Sequence, residues 1–171
     1  MSKDFERLML PHLDAAWRLA VAMVRDEAAA QDIVQDSYLR ALKAWWRYVP
    51  GNEKAWLLTI VRRRALSWLK GRRRQDVTVD GDMAEADAAQ LGRPADQEAA
   101  LIASQSARQV RAALERLPEA YREVIVLKEF EDMAYKDMAR VLEVPVGTVM
   151  SRLARGREAL RRMLVKDGHG L

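Results

Sequence analysis

Four residues near the carboxy-terminal end, Thr148, Ser151, Arg152 and Arg155, have the side-chain types and spacing to read a polyanion. On a helix they share one arc, with hydroxyls and guanidinium groups side by side. A guanidinium is a fork of donors that matches two acceptors on a guanine edge, and a hydroxyl reaches a phosphate or a base edge. A different arc of the same helix belongs to Val149, Leu153, Gly156 and Leu160, whose stripe would face a core.

Such side chains need a scaffold that fixes the helix. Tyr135 to Leu142 reads as a first helix with Met138, Ala139 and Leu142 turned inward. Glu143, Val144 and Pro145 separate it from a second helix running from Val146 to roughly Leu164. Together they read as a helix-turn-helix, in which the amino-terminal half of the second helix enters the major groove. An ordinary helical hairpin with a solvated polar side has the same pattern, so this arrangement alone names no function.

The rest of the chain is also helical in character. Half of its 171 residues are apolar, mostly Ala, Leu, Val and Met, with 8 Gly and 5 Pro. Leu13, Trp17, Ala20, Val21 and Val24 follow a first apolar turn at Phe5, Leu8 and Met9. Asp26 is placed to cap a helix carrying Ile33, Val34, Tyr38, Leu42 and Trp45. After Pro50 and Gly51, Asn52 is placed to cap another, through Trp56, Leu57, Ile60, Val61, Leu66 and Leu69, ending at Gly71. Apolar periodicity returns at Leu101, Val110, Leu114 and Leu117, then at Tyr121, Val124, Ile125 and Leu127 after Pro118. The expected fold is all-α, with two small helical domains at 1–74 and 96–171 and a flexible acidic linker at 75–95.

Charge is segregated. Arg62, Arg63, Arg64, Lys70, Arg72, Arg73 and Arg74 form a basic run with no acidic residue, whereas Asp76, Asp80, Asp82, Glu85, Asp87, Asp96 and Glu98 surround the single Arg93. This suits a polyanion-binding body with a solvated connector, and equally a charged helix end beside a disordered segment. There is no cysteine, which excludes disulfides and thiolate chemistry and fits a reducing cytoplasm. His12 and His169 are far apart with no ligand cluster near them, so neither a metal site nor a catalytic one is expected. No apolar run approaches a membrane span, and the amino terminus lacks a signal-peptide core.

Residues Leu117 to Leu164, with Pro145-Val146-Gly147-Thr148-Val149 and Ser151-Arg152-Leu153 most telling, closely resemble the carboxy-terminal domain of extracytoplasmic-function sigma factors. Gln31-Asp32-Ile33-Val34-Gln35-Asp36-Ser37-Tyr38-Leu39-Arg40-Ala41 resembles that family's polymerase-binding helix. Ala55-Trp56-Leu57 through Ile60 and Arg62 resembles its promoter-melting and minus-ten segment. The resemblance implies core RNA polymerase and promoter DNA as partners, an anti-sigma factor as the usual regulator, no cofactor, and no catalysis of its own. It places polymerase contact at Asp32, Gln35, Asp36 and Arg40, which share one helical face. It places minus-ten contact at Asn52, Trp56, Arg62, Arg63 and Arg64, with Trp56 more a core anchor than a stacking platform. Minus-thirty-five contact falls to Thr148, Ser151, Arg152 and Arg155, with Tyr135 and Lys136 on phosphate.

Three positions depart from the family pattern. Arg63 stands where Asn is common, Met150 where a cation is frequent, and Glu143 where the turn often has Gly, which calls for a turn conformation open to a side chain. Two other readings compete: a sigma mimic that titrates an anti-sigma factor, and a conventional helix-turn-helix regulator. The first would not need the reading arc, and the second would need a dimerisation or ligand domain.

Overall fold

The computed structural model describes residues 2–76 and 97–168, and every regular element among them is helical. The first half holds α1 (Lys3–Met9), α2 (Leu13–Val24), α3 (Glu27–Lys43) and α4 (Glu53–Asp76), with 3-10 turns at Leu10–His12 and Trp45–Arg47. Both expected caps are made: Asp26 Oδ1 accepts from the Ala29 N–H, and Asn52 Oδ1 from the Ala55 N–H, each at 2.9 Å. Helix α2 stops where Arg25 turns left-handed, at φ 53° and ψ 33°, and its N–H closes on the Val21 carbonyl.

Met9, Leu19, Met23, Ile33, Leu57, Leu58 and Val61 fill the space between these helices. An aromatic group seals one end. Trp45 stacks on Tyr48 at 4.6 Å between centroids and meets Phe5 edge-on at 5.4 Å, while Trp56 leans on Tyr48 at 5.1 Å. Trp56 is thus a packing residue, as its family position implies.

The second half consists of α5 (Gln97–Arg116), α6 (Glu119–Ile125), a π-helical turn (Val126–Phe130), α7 (Tyr135–Leu142) and α8 (Val146–Lys166). Leu117, Val124, Ile125, Leu127, Met138, Leu142, Val149 and Leu153 form its interior. Helices α7 and α8 begin where the apolar spacing puts them. Gly156 of α8 lies against α6, where an added Cβ would meet Tyr121 Cβ and Ile125 Cδ1 at 3.2 Å each.

Two expectations need correction. Helix α4 does not end at Gly71 but runs on to Asp76, taking in Gln75. One glycine costs a helix only about 1 kcal/mol relative to alanine, and the arginines that follow are good helix formers. Glu143 keeps the left-handed conformation that glycine usually supplies, with φ 56° and ψ 43°, instead of a turn suited to a side chain. The rest of the expected linker, 77–95, lies outside the described residues.

The two halves are packed together. Their buried apolar side chains form one connected cluster, and α2 and α4 of the first half lie against α6 and α7 of the second.

Candidate nucleic-acid interface

The second helix of the helix-turn-helix buries Val149, Leu153 and Gly156 and leaves Ser151 and Arg155 exposed, with Thr148 and Arg152 half-buried beside them. The turn before it aims that arc outward. Val144 N–H closes on the Ala139 carbonyl, and the Thr148 and Val149 N–H groups close on Pro145, which starts α8. Ser151 Oγ donates to the Thr148 carbonyl at 3.1 Å. Arg155 also borders an open cleft of about 420 Å³ with Tyr121, Ala154, Glu158, Ala159 and Arg162. Tyr135 and Lys136 begin α7. Lys136 is exposed, and the Tyr135 ring carries the Lys128 ammonium 4.9 Å from its centroid.

On α3, Asp32, Gln35 and Arg40 are exposed and Asp36 half-buried, so the four expected polymerase contacts do share a face. Asp36 is its electrostatic centre. Arg40 Nε donates to it at 2.7 Å, and Arg64 of α4 lies against the same carboxylate oxygen. The Arg40 hydrogen bond outweighs partial burial, and with Arg64 it holds the Asp36 carboxyl below its ordinary value.

Four cations of α4, Lys54, Arg62, Arg63 and Arg73, form ion pairs with the second half of the chain. Arg62 Nε donates to Glu123 Oε2 of α6 at 2.6 Å, with side chains only 12% and 4% exposed. Arg63 donates through Nε at 3.1 Å, and through Nη2, to Glu143 in the turn of the helix-turn-helix. Glu131, after the π-helical turn, takes Arg18 of α2 and Lys54 of α4 together. Arg122 reaches back to cap α2, donating from Nε to the Ala22 carbonyl and from Nη1 to the Leu117 carbonyl at 3.0 Å. Arg25 donates to the Glu115 carbonyl at 2.7 Å. In each side-chain ion pair across this seam the cation comes from the first half and the carboxylate from the second.

Burial acts on these groups in opposite directions. It raises the Glu123 carboxyl above its ordinary value, and Arg62 offsets only part of that. Burial also pushes Glu131 upward, but hydrogen bonds from Arg18 and Lys54 prevail and hold its carboxyl below the usual value. The guanidinium of Arg122 is lowered by desolvation, with Arg25 adding to the effect.

Sequence reasoning missed Glu123, Glu131 and Glu143 as partners of the basic residues. It also missed Trp46, 81% exposed on the 3-10 turn before α4, whose ring lies 5.3 Å from the Arg47 guanidinium. The Trp45-Trp46 doublet carried a signal for the latter: on one 3-10 turn, two neighbouring aromatics cannot both face the core.

A helix-turn-helix with an outward-facing arc of hydroxyls and guanidinium groups, joined to a bundle with a long basic helix, defines a two-part helical DNA-binding protein. Residues 8–75 match the Sigma-70 region 2 family and residues 107–160 match Sigma-70, region 4. The chain belongs to the sigma-70 family, in its extracytoplasmic-function (ECF) group. The RNA polymerase sigma-H factor of Pseudomonas aeruginosa is 33% identical over 168 residues, spanning 95% of this chain and 86% of its own. The ECF RNA polymerase sigma factor EcfG of Rhodopseudomonas palustris is 35% identical over 150 residues, spanning 87% and 78%. Among solved structures, the sigma factor RpoE of Bartonella quintana, in complex with the anti-sigma factor NepR, superposes with TM-score 0.82. It has 28% sequence identity and covers 95% of this chain and 98% of that one.

Proposed function

We propose that this chain binds core RNA polymerase and directs it to promoter DNA, with no reaction of its own. The observation that carries this is the division of α8 into a buried stripe, Val149, Leu153 and Gly156, and an outward arc, Thr148, Ser151, Arg152 and Arg155, in a chain whose other half belongs to region 2. In this reading Asp32, Gln35, Asp36 and Arg40 engage the polymerase, and α8 reads the minus-thirty-five element, with Tyr135 and Lys136 on flanking phosphates. Arg62, Arg63 and Arg64 hold the strand at minus ten, where Trp46 offers a flat face to a base splayed from opened DNA. Asn52 serves that site by fixing the start of α4 through its cap. A regulator of the anti-sigma class follows from the likeness to RpoE, which was solved with such a partner.

The test is transcription by purified chain plus core polymerase on a fragment library. Initiation at a defined site, dependent on the chain, is the expected result. A chain that binds an anti-sigma factor yet never supports initiation would instead be a sigma mimic, a role that leaves the intact reading arc without a purpose.

A further inference from the structure

Two apolar side chains near the start of α8 are left outside the core. Val146 is 40% exposed and Met150 52%, whereas Val149 and Leu153 on the same helix are buried. Among the described residues, neither belongs to the buried cluster or to the side chains packed against it. At i and i+4 they share one side of the helix, about 6 Å apart along its axis. Gly147 joins that side to the reading arc, since it neighbours Met150 at i+3 and Ser151 at i+4. A Cβ at Gly147 would meet nothing within 4 Å, so packing does not require the glycine, and its bare backbone leaves room for another surface to come close.

The charge around the pair selects what that surface is. From Val146 to Arg157 the helix carries Arg152, Arg155 and Arg157 and no acidic residue, which suits a polyanion. The bases of duplex DNA present one kind of apolar group in the major groove, the 5-methyl of thymine. We propose that Met150, with Val146 one turn before it, reads thymine through this methyl group, beside the polar contacts of Ser151 and Arg155. A cation at position 150 would strengthen binding to any sequence through phosphate, whereas a thioether has no such attraction and gains from burying a methyl. Its unbranched, polarizable chain adapts to the groove. Met150 is one of the positions at which this chain departs from the family pattern, so the methyl contact is a property of this chain. The spacing of the two side chains matches thymines one or two steps apart, at about 3.4 Å per step.

The inference rests on the proposed reading role of α8, and the experiment separates the two. Holoenzyme assembled from the full chain and core polymerase is assayed for affinity on its preferred promoter, with each thymine of the minus-thirty-five element replaced in turn by deoxyuridine. This deletes the methyl and keeps the hydrogen-bonding edge. At least one replacement should weaken binding about fourfold, the worth of one buried methyl group. Met150→Ala should weaken binding to the thymine duplex by a similar factor and abolish the response at that position. Val146→Ala should do the same at a thymine one or two steps away. With cytosine at the position read by Met150, a 5-methyl group should restore affinity to the wild type and not to Met150→Ala. Met150→Lys should lose the methyl response while steepening the salt slope by about one.

Deoxyuridine without effect at every position, or an effect that persists in both alanine variants, would overturn the proposal. If ordinary base changes in the element still alter affinity, the reading role of α8 stands without it. Indifference to every base change would overturn both. Met150→Ala should also be retained on immobilised core polymerase as well as wild type in the absence of DNA; reduced retention would assign the apolar pair to a protein surface and overturn the proposal from that side.

Discussion

Arg62 and Glu123 meet at 2.6 Å across the junction of the two halves, with both side chains almost closed off from water. Sixty-one residues separate them, and neither charge could be held there without the other.

Replacing Arg62 by Ala should therefore cost about 3 kcal/mol, because it leaves a buried carboxylate without its cation. Urea unfolding followed by tryptophan fluorescence measures this. The apolar pair Arg62→Met with Glu123→Leu should recover most of the loss. Equal stability of the single and double variants would show that the pair is not desolvated as described.

Acid should loosen the seam through Glu131. Its carboxyl is held below the ordinary 4.5, so its contribution is complete above that value and is lost as pH falls through the lower folded value. Glu123 has the opposite sign: its carboxyl is raised, so stability falls as pH rises from 4.5 through the raised value. Urea midpoints between pH 3 and 7 should show both limbs. Glu131→Gln should flatten the acid limb alone, and an unaltered profile would remove Glu131 from the seam.

On α8, Arg152→Ala or Arg155→Ala should cost about 1–3 kcal/mol on the preferred promoter and flatten discrimination, if that arginine reads a base edge. A phosphate contact would weaken all sequences alike and lower the salt slope by about one. At least one of the two should show the base-reading pattern across single-base promoter variants at several salt concentrations. Intact discrimination in both variants would exclude the arc from sequence reading.

Asp36→Arg should weaken retention of the chain on immobilised core polymerase. Asp36 also holds Arg40 and Arg64, so Asp32→Arg, at an exposed position one helical turn away, provides the matching variant. Both should bind less than wild type while keeping its circular dichroism. Undiminished binding by both would move the polymerase contact off this face.

The elements were legible where a local rule governs them. The caps at Asp26 and Asn52 lie within one turn of the N–H groups they satisfy, and the stripe of α8 follows the helical repeat. Gly71 misled because a glycine marks a helix end only when the chain turns left-handed there. Glu143 misled in reverse, since the turn kept its left-handed geometry with a side chain in place. The candidate site was legible as a set of cations but not as a set of pairs. The partners of Arg62, Arg63 and Arg18 lie 61, 80 and 113 residues away, and no spacing rule connects such positions.

The close approach at Gly156 works as a depth stop for α8 against α6. Tyr121 Cβ is tied to its backbone and cannot swing aside, so a methyl group at 156 would push α8 away from α6 by a few tenths of an ångström. Arg152 and Arg155, within the preceding turn, would then reach for the groove from a tilted base. In the proposed role of α8, promoter choice would thus be calibrated partly from behind the helix, by a buried residue with no side chain.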